Sequence, residues 1–293
     1  MTEFGGLFSV LATPFDRDGA LDLSSLRRLV RFTLDAGASG LVALGVMGEA
    51  AHVEDSERER LMAVVVEETA GSVPIVVGAS DPDSGVAAER AARAQDLGAD
   101  AVMIAVPPAA EQLAEHLGAV AVAAPGADIV VQDYPALGHP PVAVADLVAA
   151  ARAVPAIRAI KAEHPPTAAK VAAVHARAPE LAQLGGLGGL WSLWELEAGA
   201  RGCMTGFALP ELLVELTAAA AGGDWERARE LHRRALPALV WESQPGAELA
   251  LRKTMLHARG LIAHPRLRAP APVMGDAAVT ARRLLAELSL VTG

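Results

Sequence analysis

The sequence predicts an α/β chain folded as a (β/α)8, or TIM, barrel with a C-terminal helical extension. Three observations carry that expectation. Short apolar runs of strand length recur eight times, amphipathic stretches of helical period separate them, and the 293-residue chain then continues in a purely helical pattern. Eight such alternations over roughly 210 residues suit a barrel that typically needs about 250.

The apolar runs lie at 8–12, 40–44, 75–78, 101–106, 129–132, 157–161, 181–185 and 202–205. Each is too short for an ordinary helix and reads as a strand covered on both faces, as in parallel sheets. Between the first two, 23–36 sets Leu26, Leu29, Val30 and Leu34 at helical spacing opposite Arg27, Arg28 and Arg31. Residues 54–69 follow charged Glu57–Arg60 with Leu61, Met62, Val64 and Val65, and 85–97 is rich in Ala and Arg with Gly98 as its stop. Stretches 144–153, 167–176 and 191–198 fill the later crossovers. Past Phe207, helices are read at 211–221, 225–240, 246–259 and 277–290, with Gly222-Gly223-Asp224 as turn and N-cap and a Pro-rich connection at 265–272. The expected division is 1–222 for the barrel and 223–293 for the helical region. An open doubly wound sheet is the alternative, disfavoured because no Gly-x-Gly-x-x-Gly follows the first strand.

Composition narrows the function classes. Hydrophobic residues at 52% and charged residues at 20% exclude disorder and support a sizeable core. Aromatics reach only 3%, so the core leans on Ala, Val and Leu. A net charge of −10 and a pI near 5.3 show no basic stripe for nucleic acid or an anionic membrane. Cys203, the single cysteine, excludes an internal disulfide and a Cys-rich zinc site and reads as a small buried hydrophobe. The opening MTEFGGLFSVLATPF has no basic stretch leading into a long apolar run, and no segment is apolar enough to span a bilayer, so a cytoplasmic location is expected.

In such a barrel the chemistry sits at the C-terminal strand ends. The candidates there are Thr13, 45–49, Ser80, Pro107, Asp133, Tyr134, 161–164, 185–189 and 205–207. Lys161 ends the sixth run, and of 25 basic residues only Lys161, Lys170 and Lys253 are lysines. A neutral lysine amine attacks a carbonyl, which arginine cannot do. Near pH 7 an unperturbed lysine is neutral in only about 0.04% of molecules, and burial in an apolar barrel raises that fraction. The plain alternative is a strand-end lysine reaching solvent. Gly45-Val46-Met47-Gly48-Glu49 is either a turn presenting N–H groups to an anion or a simple β–α turn. Tyr134, the only tyrosine, is either a proton relay or a wall residue.

Taken together these positions resemble the dihydrodipicolinate synthase/N-acetylneuraminate lyase family, the pyruvate-type class I aldolases. The likeness spans nearly the whole chain. It includes Thr13-Pro14-Phe15, the Gly-x-x-Gly-Glu turn, Ile160-Lys161, the 199–202 run before strand eight, and Gln244-Pro245-Gly246 leading into a helix with Lys253, where the family usually has Asn-Pro. The resemblance implies that Lys161 forms a Schiff base with pyruvate or another 2-oxo acid, with Tyr134 as the second catalytic residue and Val46, Met47, Gly48 and Met204 lining the substrate site. No metal or organic cofactor is needed for that chemistry. The partners implied are a small 2-oxo acid and an aldehyde, with no nucleic acid or membrane, in a homo-oligomer (dimer or tetramer).

The departures are equally specific. The family's Gly-Thr-Thr-Gly-Glu turn has lost both hydroxyls to Val46 and Met47. Its Tyr-x-x-Pro motif puts Gln132 at the tyrosine position if Pro135 is aligned, with Tyr134 displaced by two and still on the same strand face. Val106-Pro107-Pro108-Ala109 has no second tyrosine, and Ala136-Leu137-Gly138-His139 has no arginine. These changes argue against a lysine-biosynthetic synthase. They suggest poor use of its substrates and a bulkier, less polar one instead. Replacement acid/base groups are Glu163, His164 and Asp133, although His164 also reads as a solvated loop residue. Other classes kept open are a binding or regulatory barrel without turnover, and a phosphate-handling isomerase using 185–189. Trp191 and Trp194 line an apolar pocket or, more simply, belong to a helix core. His52, Glu54, Asp55 and Glu57 suggest a metal or, more simply, the acidic first turn of a helix.

Overall fold

The computed structural model describes residues 2–135, 141–270 and 275–290; Ala136–His139, where the family's arginine is missing, and the end of the Pro-rich connection lie outside them. Eight parallel strands close into a barrel in sequence order: β1 (Gly6–Val10), β2 (Gly40–Ala43), β3 (Ile75–Gly78), β4 (Ala101–Ala105), β5 (Asp128–Asp133), β6 (Ile157–Ala162), β7 (Ala182–Gly185) and β8 (Gly202–Thr205). The helices around them are α1 (Leu23–Asp35), α2 (Asp55–Thr69), α3 (Ser84–Asp96), α4 (Leu113–Ala123), α5 (Val144–Ala153), α6 (Thr167–His175), α7 (Ser192–Glu197) and α8 (Pro210–Ala221). The helical extension comprises α9 (Trp225–Glu242), α10 (Glu248–Ala258) and α11 (Ala277–Glu287).

The eight runs are strands because both of their faces are buried. Phe8, Val10, Val42, Val76, Met103, Val130, Ala159, Leu184 and Met204 fill the interior, while Leu7, Leu41, Val77, Val102, Ile104, Val131 and Ile160 pack outward under the helices. β1 begins two residues before the apolar run that marks it, because pairing with β8 starts at Gly6–Gly202. Leu11 and Ala12 stay buried past the strand end and so prolong the apolar signal. Helix α4 has no counterpart among the helices read from periodicity. α9 runs on to Glu242 through Pro237.

Two features aim the site. On β6 the pleat turns Ala159 and Lys161 to the same inner face, and Lys161 pairs in register with Gln132 of β5 and Leu184 of β7. The extension also folds back onto the barrel mouth. Lys253 of α10 is fully buried and reaches Glu49 at 2.5 Å and the Arg266 carbonyl at 2.8 Å. The backbone N–H groups of Arg268 and Ala269 donate to the same carboxylate at 2.7 and 2.8 Å. Phe15 packs between Lys253, 4.5 Å from its ring centre, and Arg268 at 4.2 Å. Among the described residues no helix is long and apolar enough to cross a membrane.

Candidate active site

Lys161 and Glu163 stand two apart at the mouth end of β6, and both are 6% exposed. The Lys161 Nζ lies 3.3 Å from Glu163 Oε2. Gln132 Nε2 donates to that same oxygen at 2.8 Å, and the Leu187 N–H reaches the other at 3.3 Å. A carboxylate is thereby fixed beside the amine by groups from β5, β6 and the loop after β7. Gly186 must be glycine for this to happen, because a β-carbon there would stand 2.2 Å from Glu163 Cγ. Of the three replacement acid/base candidates, Glu163 alone enters the mouth.

A cavity of about 310 Å³ holds Lys161, Glu163, Gln132, Tyr134, Met47 and Thr205 in its wall, with Val46 beside them. Tyr134 is half-buried, and burial first, then the charges of Glu163 and Glu248, push its phenol above the usual range. Val46–Gly48 forms one 3-10 turn. The N–H groups of Val46 and Met47 open that turn and find no acceptor within it, leaving backbone donors where the family has hydroxyls. A larger cavity of about 680 Å³ adjoins the first and shares Val46, Met47, Gln132 and Glu248 with it. Met204 and Gly48 take other positions. Met204 is fully buried in the interior layer below the mouth, and the Gly48 carbonyl accepts from the Thr13 hydroxyl at 2.6 Å. Trp191 and Trp194 are not core residues. Each is 44% exposed, and Trp191 borders the Lys161 cavity.

Lysine scarcity proves a weaker sign than its position. All three lysines sit in ion pairs: Lys161 with Glu163, Lys253 with Glu49 at 2.5 Å, and Lys170 with Asp133 at 2.6 Å. Lys170 also donates to the Val142 carbonyl at 2.7 Å and meets His164 Nδ1 at 2.9 Å. Asp133 and His164 are therefore turned toward α6, outside the cavity. Burial raises the Asp133 carboxyl against the opposing pull of Lys170. Glu49 braces the extension and also lies in the wall of the larger cavity. The acidic junction before α2 has a structural explanation as well: Glu54 and Glu57 form a capping box, and Arg268 grips Glu57 with a fork at 2.5 and 2.6 Å. Among the described residues no group of three His, Cys, Asp or Glu is placed to hold a metal.

The largest surprise comes from the extension. Glu242, Ser243, Glu248 and Arg252 also line the Lys161 cavity, so the pocket is more polar than its strand ends suggested. Glu242 is buried and pushed up to about 7 by desolvation, which outweighs the opposing charge of Arg252 and the Ala208 N–H. The glycine-rich 185–189 segment is bracketed by acids. Glu163 lies against Gly186, and Glu195 packs so close to Gly185 that a β-carbon there would come within 1.8 Å of its Oε2. Glu163 already uses the Leu187 N–H and Glu195 fills the space beside Gly185, which leaves a poor setting for phosphate.

The chain matches the dihydrodipicolinate synthetase family over residues 3–287. It is 33% identical over 279 residues to an L-2-keto-3-deoxyarabonate dehydratase of Azospirillum brasilense, covering 91% of this chain and 88% of that one. A 4-hydroxy-tetrahydrodipicolinate synthase of Thermotoga neapolitana is 41% identical, over only 117 residues, 39% of this chain and 40% of the other. The crystal structure of dihydrodipicolinate synthase from Rhodopseudomonas palustris superposes with a TM-score of 0.91 at 30% identity, covering 98% of this chain and 99% of that one. With nearly every residue accounted for by one family, the chain belongs to the dihydrodipicolinate synthetase family and is a lyase.

Proposed function

We propose that this lyase dehydrates a hydroxylated 2-oxo acid through a Schiff base on Lys161. The observation that carries the reading is the Glu163 carboxylate held 3.3 Å from the Lys161 amine. Glu163 is placed to take the proton the amine must lose before it attacks the C2 carbonyl. Glu163 returns that proton to the carbinolamine hydroxyl, which leaves as water, so that a protonated imine forms and the carboxylate is restored. Glu163 next removes a proton from C3, the electron pair moves into the imine as an enamine, and its return expels the C4 hydroxyl, protonated as it leaves. The C3–C4 double bond then moves to C4–C5, giving the enol of a C5 aldehyde, and hydrolysis frees the amine and the dioxo acid; the net change is the loss of one water from the substrate. Tyr134 is the second proton donor in reach of the cavity, and the Val46 and Met47 N–H groups are the donors for the C1 carboxylate.

Two facts support dehydration over condensation with a second substrate. A dehydratase relative aligns along almost the whole chain at 33% identity. The threonine pair and the arginine that a synthase uses are also missing from the positions read in the sequence. Turnover of 4,5-dihydroxy-2-oxopentanoate, followed by the appearance of a dioxo product, tests the reading. Glu163→Gln is expected to lose about 10²- to 10⁴-fold in turnover, while Lys161 forms its imine more slowly but still reaches it on long incubation. Release of pyruvate from the same substrate would mean carbon–carbon cleavage instead. The reading includes a homo-oligomer, dimer or tetramer, to be tested by light scattering. One similar solved structure, 28% identical with a TM-score of 0.89, is of a monomeric dihydrodipicolinate synthase variant.

A further inference from the structure

Arg252 closes the Lys161 cavity on the side of β8. Its guanidinium lies over Gly206, the first residue past that strand, where a β-carbon would come within 2.2 Å of Nη1. The residue is only 3% exposed, and among the described residues Nη1 has no hydrogen-bond partner. Among the described residues its carboxylate contact is a single Nε–Oε2 approach of 3.3 Å to Glu242, not the two-pronged fork that usually neutralises a buried arginine. Ser243 stands in the same wall, close against Gly188, with a buried hydroxyl that has no partner among the described residues. A buried guanidinium nitrogen and a buried hydroxyl, both unpaired in the wall of one cavity, are costly to leave so unless something else occupies the corner.

We infer that Arg252, with Ser243 beside it, is a specificity-determining residue that takes a hydroxyl oxygen at the end of the substrate remote from the imine. Charge selects a hydroxyl over a second carboxylate. The cavity wall carries Glu163, Glu242 and Glu248 against Lys161 and Arg252, so it has no surplus positive charge for another anion. A hydroxyl accepts from the guanidinium and can donate in turn to Glu242 or Glu248. The cation that the family places after strand five is thus supplied from α10, a part of the chain remote in sequence. The inference rests on the Lys161 reading and adds the residue that measures the far end of the substrate.

Borohydride trapping of Lys161 against probe concentration tests it, with pyruvate, 4,5-dihydroxy-2-oxopentanoate and 2-oxoglutarate as probes. In the unaltered protein the dihydroxy acid is expected to half-saturate at a concentration about tenfold or more below that of pyruvate. The double variant Arg252→Met with Glu242→Gln, neutral and close in volume, is expected to lose most of that advantage. If it does not fold, Arg252→Lys, which keeps the charge but shortens the reach, is expected to lose the advantage too. A preference for the dihydroxy acid that survives both changes overturns the inference. So does an equal loss on pyruvate and the dihydroxy acid, or a wild-type preference for 2-oxoglutarate. No trapping of the unaltered protein by any probe overturns the Lys161 reading itself, and this inference with it.

Discussion

The side chain of Glu163 occupies the space that a β-carbon on Gly186 would need, with Cγ only 2.2 Å from that position. The carboxylate cannot easily yield, because Gln132, Leu187 and Lys161 hold it from three sides. Gly186→Ala is therefore expected to push Glu163 out of line with the amine. Turnover should fall about 10²-fold or more, as for loss of a general acid–base group, while imine formation at Lys161 persists. Parallel measurement of turnover and borohydride trapping on the alanine variant checks this, and unchanged turnover would contradict it.

The Glu49–Lys253 pair makes a prediction about stability. Both side chains are essentially inaccessible to solvent and 2.5 Å apart. Lys253→Met leaves the Glu49 carboxylate buried with only the Arg268 and Ala269 N–H groups. Removing one partner of a buried pair costs about 3–5 kcal/mol. Urea denaturation should show that loss for Lys253→Met and recover part of it when Glu49→Gln is added.

Much of the fold and half of the site follow from short-range pattern. Eight doubly buried strands announce themselves as apolar runs, and strand period alone sets Glu163 on the same face as Lys161. α4 gave no clear signal because Ala, Gly and Val fill Leu113–Ala123 with too little polar contrast to mark a face. Arg252, Glu242 and Ser243 stayed hidden for a different reason. They reach the cavity only because α9 and α10 fold back over the mouth, a long-range consequence that no local period encodes. Trp191 misleads for the same cause: helical spacing suggests core, but the wall it borders is assembled from distant segments.

Glu195 predicts a pH dependence of stability. It is fully buried, both oxygens lack hydrogen-bond partners among the described residues, and burial pushes its carboxyl up to about 7 from 4.5. A carboxyl whose pKa is higher folded than unfolded binds more protons in the native state between those values. Its contribution is complete below pH 4.5 and is lost as pH rises through about 7. The shift corresponds to roughly 3 kcal/mol. Denaturation at pH 5 and pH 8 should show Glu195→Gln losing less stability than the unaltered protein across that interval. Equal losses in the two proteins would contradict the assignment.

The Val46-Met47 turn predicts a gain of binding. Val46→Thr with Met47→Thr restores two hydroxyls to a turn whose residues border the cavity. Each hydrogen bond to a carboxylate contributes about 1.5–3 kcal/mol. Pyruvate should then saturate trapping of Lys161 at concentrations tens of times lower or less, read from the concentration dependence. No improvement would place the substrate carboxylate elsewhere in the cavity.

The central claim is that Lys161 is the electrophile-forming amine, and one measurement addresses it directly. The protein is incubated with pyruvate, reduced with borohydride, digested, and its peptides weighed. The expected result is a reduced pyruvate adduct on the peptide containing Lys161, absent from Lys161→Arg and from the peptides carrying Lys170 and Lys253. An unmodified Lys161 peptide after incubation with pyruvate and 4,5-dihydroxy-2-oxopentanoate alike, or an adduct on another lysine, would contradict the account.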